Sequence, residues 1–126
     1  MILCRWNHSW LLWENKMEII RDNRKHELLR ILKYMYYAAE KEDIESIKAL
    51  SNLYNEQMVK IFDRAPWKHE TEAFEWDNAR NAAIGIPTLL GMYKTKRFKE
   101  NDYEKMKKAQ LAELLKRIKK VEEYLI

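Results

Sequence analysis

Apolar residues recur along most of this chain at steps of three and four positions, the spacing that places side chains on one face of an α-helix. The pattern is strongest near the start, in a tryptophan row formed by Trp6, Trp10, Trp13, Met17 and Ile20. Three of the five tryptophans belong to this row. Such an aromatic surface requires burial, and the pattern leaves open whether the protein's own core, a second copy, another protein or a membrane surface covers it.

The same spacing predicts four longer helices, over residues 17–40, 43–64, 69–94 and 102–125. Because the 126 residues include only two glycines and two prolines, the composition suits helices and argues against a many-stranded sandwich. We therefore predict an all-α fold, an antiparallel bundle of about four helices. Residues 17–126 would form this single domain, preceded by residues 1–16 as a tryptophan-rich arm or an extra short helix.

Polar residues mark where three of these helices are expected to begin. Asn15 with Glu18 has the spacing of a capping box, and Asn101 with Glu104 repeats it. Asp43 is the expected N-cap of the second helix. The first capping box favours a separate short helix for the tryptophan row, whereas the continuous spacing favours one long helix; we favour two helices.

Gly85 and Pro87 interrupt the third helix without changing its apolar face. One interpretation is a single helix kinked at Pro87, whose ring clashes with the carbonyl of Ala83. The other is a helix that ends at Gly85, followed by a new helix with Pro87 at its first position. Both interpretations keep the same face directed inward.

No catalytic or metal-binding motif is recognisable in the sequence. His26-Glu27 and His69-Glu70 each begin like the zinc-protease motif His-Glu-x-x-His, but the second histidine is missing in both. We therefore expect a non-enzymatic protein with no cofactor and no metal. Arg80 lies beside the predicted buried face, where an unpaired charge is costly, so we expect it to pair with a carboxylate or to reach solvent.

Cysteine content and hydropathy indicate a cytoplasmic protein. Cys4 is the only cysteine, which excludes an internal disulfide and favours a reducing compartment. No stretch approaches the roughly 20 apolar residues that span a bilayer, and the start lacks the order of a secretory signal. A membrane is the least favoured partner.

Positive charge is concentrated in the last third of the chain. Residues 94–126 contain 11 Lys and Arg against 6 Asp and Glu, whereas residues 1–93 contain 13 against 14. On the last predicted helix, four lysines form one outer row, here called the lysine stripe: Lys105, Lys108, Lys116 and Lys119. The stripe has the charge to neutralise phosphates but no aromatic residues to stack on bases, and a solvated helix face is the alternative.

Two functional hypotheses follow from these features. The first is a small helical interaction protein that binds itself or another protein through Trp6, Trp10 and Trp13, because aromatic anchors dominate interface energies. By analogy of size and chemistry alone, this includes an inhibitor or accessory protein of a virus or mobile element. The second hypothesis is a nucleic-acid-binding protein that uses the lysine stripe within residues 94–126.

Overall fold

The computed structural model describes residues 23–62 and 71–125, and the regular elements within these residues are all helical. Helix α1 covers residues 23–40. The later elements are α2 (Ile44–Phe62), α3 (Thr71–Lys94), α4 (Glu100–Glu122) and a short 3₁₀ helix (Glu123–Leu125). The four α-helices pack around a common core, which confirms the predicted all-α bundle.

Side-chain contacts show that helices adjacent in sequence run antiparallel. Ser51 of α2 contacts Arg80 of α3, and Tyr54 of α2 contacts Trp76 of α3, so residue numbers rise in opposite directions along the two helices. Helices α1 and α2 are joined by a contact of Arg24 with Lys60. Helices α3 and α4 are joined by contacts of Ala82 with Gln110 and of Glu75 with Lys120. Helices α1 and α4 are joined by contacts of Lys33 with Glu122 and of Glu40 with Lys107. Helix α4 therefore also lies antiparallel to α1, which closes the bundle.

The core draws apolar side chains from every helix. Its largest fully buried members are Leu28, Leu32, Met35, Ile47, Tyr54, Met58, Trp76, Ile86, Leu114 and Val121. Each large apolar side chain stabilises the fold by about 1.5–3 kcal/mol when it is fully removed from water. In α3 the small residues Ala79 and Ala83 are fully buried beside Trp76, which allows the neighbouring helices to approach closely.

The predicted N-cap of α2 is confirmed, whereas that of α4 is wrong. Asp43 accepts hydrogen bonds from the backbone N–H and the hydroxyl of Ser46, at 3.2 and 2.6 Å. Helix α4 begins at Glu100, so Asn101 lies inside the helix and Lys99 occupies the N-cap without a side-chain cap bond. The carboxylate of Glu100 stabilises this end because negative charge interacts favourably with a helix N-terminus.

Residues Thr71–Lys94 form one helix that continues through Pro87, so the interpretation with a break at Gly85 is wrong. Gly85 instead makes room for a side chain of α4. The Nε2 atom of Gln110 donates to the carbonyl of Ala82 at 2.8 Å, and a Cβ atom on Gly85 would lie 2.5 Å from that nitrogen. The missing side chain at Gly85 thus lets Gln110 reach the backbone of α3.

Candidate functional site

The predicted partner-binding residues Trp6, Trp10 and Trp13 lie outside the described residues, as do Asn15 and Glu18 of the first capping box. The proposed role of the tryptophan row therefore stays a prediction. The described part of the chain offers two other surfaces for binding: a groove between α1 and α2, and the lysine stripe of α4.

The first surface is an open groove between the C-terminal half of α1 and the N-terminal half of α2, here called the tyrosine groove. Its volume is about 430 Å³ and its lining is mainly apolar. Tyr34 and Tyr37 stand at its rim, with 56% and 60% of their surfaces exposed. The groove is lined by Tyr34, Tyr37, Ala38, Lys41, Asp43, Ser46, Ala49 and Leu50.

Helical spacing explains why two tyrosines of α1 are exposed. The core face of this helix is filled by Leu28, Ile31, Leu32, Met35, Ala38 and Ala39. Tyr34 and Tyr37 fall on a different face, while Tyr36 packs against the core and meets the Tyr37 ring edge-on, with centroids 6.2 Å apart. On α2, Leu53 follows Leu50 by one turn and is 42% exposed. Clustered apolar exposure of this kind is typical of contact surfaces.

Charged residues of both signs surround the tyrosine groove. Arg30 of α1 and Lys41, which directly follows α1, are exposed, and Glu45 and Glu56 are exposed on α2. In the lining of the groove, hydrogen bonds from Ser46 lower the pKa of Asp43, so this carboxylate is ionised at neutral pH. Arg30 and Lys41 therefore place basic groups beside the tyrosines, Arg30 also pairing with Glu27 at 3.3 Å, and Glu45 and Glu56 place acidic groups on α2.

The second surface is the lysine stripe, whose four members are all exposed, as expected for the outer face of α4. Two other lysines of α4 pair with carboxylates outside this helix: Lys107 with Glu42 at 2.8 Å, and Lys120 with Glu75 at 3.7 Å. Among the described residues, no carboxylate lies within 4.0 Å of a stripe lysine. The basic residues from the end of α3 to the start of α4 are exposed as well: Lys94, Lys96, Arg97 and Lys99.

Arg80 pairs with a carboxylate, as predicted. Its guanidinium contacts the Asp77 carboxylate at 3.2 Å and donates to the hydroxyl oxygen of Ser51 at 3.3 Å. Nearby, the Tyr54 hydroxyl donates to the carbonyl of Trp76 at 2.6 Å, and burial raises the pKa of Tyr54 well above its usual value. These polar groups form hydrogen bonds with one another where α2 meets α3, so we assign them a structural role in the packing of the two helices.

One polar cluster that the sequence did not reveal fixes the turn between α1 and α2. The ammonium of Lys107 donates to the Glu42 carboxylate at 2.8 Å and to the backbone carbonyl of Glu40 at 3.3 Å. This hydrogen bond lowers the pKa of Glu42, whereas burial raises the pKa of the neighbouring Tyr103. Glu42 has a φ of 58°, which non-glycine residues seldom adopt, and the contact with α4 helps to hold it there.

Within residues 23–62 and 71–125, no group of three or more His, Cys, Asp or Glu side chains is arranged to hold a metal ion. No helix in these two ranges combines the length and apolar character needed to cross a membrane. Comparison with protein-family models, with curated proteins and with solved structures gives no match.

Proposed function

We propose that this protein is a small, non-enzymatic interaction protein that associates with itself or with another protein, and that the tyrosine groove is a contact site. The observation that carries this proposal is the exposure of Tyr34 and Tyr37, one turn apart beside an apolar groove. Aromatic side chains supply a large, rigid contact area and are enriched among the residues that dominate binding energy. Each such tyrosine is expected to contribute about 2 kcal/mol, or roughly 30-fold in affinity.

The charges around the groove favour a second copy of this chain as the partner. Arg30, one turn before Tyr34, and Lys41, just after α1, are basic, while the exposed Glu45 and Glu56 of α2 are acidic. In a twofold-symmetric dimer the same patch is used by both copies, so α1 of one copy can lie against α2 of the other. Opposite charges then face each other at both edges, and the tyrosines are buried between them.

The tryptophan row supplies a second part of the proposal. Its three tryptophans follow helical spacing, and they add anchors of the kind found at the centres of interfaces. If the row contributes to association, changing Trp6, Trp10 and Trp13 to Ala weakens it. The same variant keeps the helical content of the bundle if the row lies outside the core.

Light scattering after size-exclusion chromatography, over a dilution series, tests both parts. We expect the wild-type protein to form a dimer or larger species that dissociates on dilution. Tyr34→Ser/Tyr37→Ser shifts this equilibrium toward monomer without loss of helical circular dichroism. Phe74→Ser is the matched control, because Phe74 is an aromatic residue of α3 with 47% exposure and lies outside the groove lining.

The outcomes separate the two surfaces. Dissociation caused by the tyrosine variant but not by Phe74→Ser supports the groove. Loss of association in the tryptophan variant alone indicates that the tryptophan row, and not the tyrosine groove, is the contact site. A wild-type protein that stays monomeric at every concentration contradicts self-association, and a tyrosine variant that associates like the wild type contradicts the groove.

A further inference from the structure

No carboxylate of residues 23–62 and 71–125 lies within 4.0 Å of a lysine of the stripe, so its positive charge is not paired at short range. At about 100° per residue, the four lysines lie within an arc of about 80° on α4. Two carboxylates of the same helix are engaged elsewhere: Glu113 with Arg117 at 2.8 Å, and Glu122 with Lys33 at 3.3 Å. Like charges three residues apart repel each other and lower helix stability. An anionic ligand on this face would remove that repulsion.

The lysines fall into two pairs, and residues with short side chains lie between the pairs. Lys105 and Lys108 form one pair, Lys116 and Lys119 the other, and their midpoints are about 16 Å apart at a rise of ~1.5 Å per residue. The exposed residues between the pairs on this face include Ala109 and Ala112, whose short side chains allow close approach. The major groove of duplex DNA is about 12 Å wide. When the axis of α4 crosses this groove, the two lysine pairs, which are separated along that axis, can reach the phosphates on both edges.

From this arrangement we propose that the lysine stripe binds the phosphate backbone of double-stranded nucleic acid without sequence preference. This inference goes beyond the proposed function, because it assigns a different ligand to a different helix. The four basic residues from the end of α3 to the start of α4 are exposed and extend the positive surface beyond α4. Sequence preference is not expected, because alanine side chains form no hydrogen bonds with base edges.

Other anionic ligands fit the stripe less well. Single-stranded nucleic acid is usually held by aromatic side chains that stack on bases, and the stripe contains none. A membrane surface requires a continuous apolar edge beside the lysines. The exposed apolar residues of α4, Met106 and Leu115, instead lie on opposite flanks of the stripe, about 180° apart around the helix.

The test is fluorescence anisotropy of the full chain with a labelled duplex, in salt from about 50 to 200 mM. Each phosphate contact adds about 0.9 to the slope of log affinity against log salt. We expect Lys108→Gln/Lys116→Gln, which removes one lysine of each pair, to lower the slope by about 1.8. Over this fourfold salt range, the salt-induced loss of affinity then becomes about 12-fold smaller than in the wild type.

The control is Lys48→Gln/Lys60→Gln, which removes the same charge from exposed lysines of α2 and should keep the wild-type slope. Equal changes in both variants would overturn the proposal, since net charge alone would explain them. It is also overturned by an unchanged slope in the stripe variant or by no saturable duplex binding at the lowest salt. Binding to vesicles of anionic phospholipid without binding to duplex would overturn the proposal and indicate that the stripe binds membranes. A strong preference for one duplex sequence would contradict backbone recognition.

Discussion

The contact between Gly85 of α3 and Gln110 of α4 can be tested by a double-mutant cycle. In Gly85→Ala, the new Cβ would lie 2.5 Å from Nε2 and 2.9 Å from Cδ of Gln110, so the amide has to move. It then loses its 2.8 Å hydrogen bond to the carbonyl of Ala82. The clash involves the far end of a flexible side chain, so we expect the helices to keep their positions.

Two opposing effects set the magnitude. Alanine in place of glycine inside a helix stabilises by about 0.5–1 kcal/mol. Loss of the Gln110 hydrogen bond costs about 0.5–1.5 kcal/mol. The single change should therefore alter the free energy of unfolding by less than about 1 kcal/mol. In a Gln110→Ala background the amide is absent, and Gly85→Ala should stabilise by about 0.5–1 kcal/mol.

The assay is denaturant unfolding, followed by circular dichroism, of the wild type, both single variants and the double variant. The cycle should give a coupling free energy of about 0.5–1.5 kcal/mol between positions 85 and 110. If Gly85→Ala has the same effect in both backgrounds, within about 0.3 kcal/mol, the two residues act independently. That result would refute the packing of Gln110 over Gly85.

Two further stability predictions concern polar contacts between distant parts of the chain. Tyr54→Phe removes the 2.6 Å hydrogen bond to the Trp76 carbonyl and keeps the ring, so Tm should fall by about 2–6 °C; an unchanged Tm would show that the hydroxyl does not stabilise the fold. Because the folded-state pKa of Glu42 lies below its usual value of 4.5, its stabilising effect is present above pH 4.5 and is lost as pH falls through the folded-state pKa. Denaturant unfolding across this range should therefore show a weaker acid dependence in Glu42→Gln, and an identical dependence would contradict the role of the Lys107 contact.

Features that depend on neighbouring residues could be predicted from the sequence. The apolar faces of α2 and α3 follow directly from residue spacing, and the Asp43 cap needs only Ser46, three residues away. The exposed lysine stripe is equally local, because the buried side of α4 determines its outer side. The predicted start of α4 was wrong because Glu100 and Asn101 both suit a helix N-terminus, and local spacing did not distinguish between them.

Features formed by distant parts of the chain could not be predicted in this way. The Glu42–Lys107 contact joins residues 65 positions apart, and no motif links them. The groove beside Tyr34 and Tyr37 depends on how α1 meets α2, since apolar residues in a helix do not reveal their partner helix. Local spacing allowed two interpretations of the third helix and could not show that it continues through Pro87.

Site-specific photo-crosslinking is the most direct test of the tyrosine groove as an interface. One variant carries benzoylphenylalanine in place of Tyr37 at the groove, and a control variant carries it in place of Phe74 on α3. Both positions are exposed in the single chain, so only contact with a second copy distinguishes them. We predict covalent dimers from position 37 and only background crosslinking from position 74. Equal yields from both positions, or no dimer from position 37, would contradict the account.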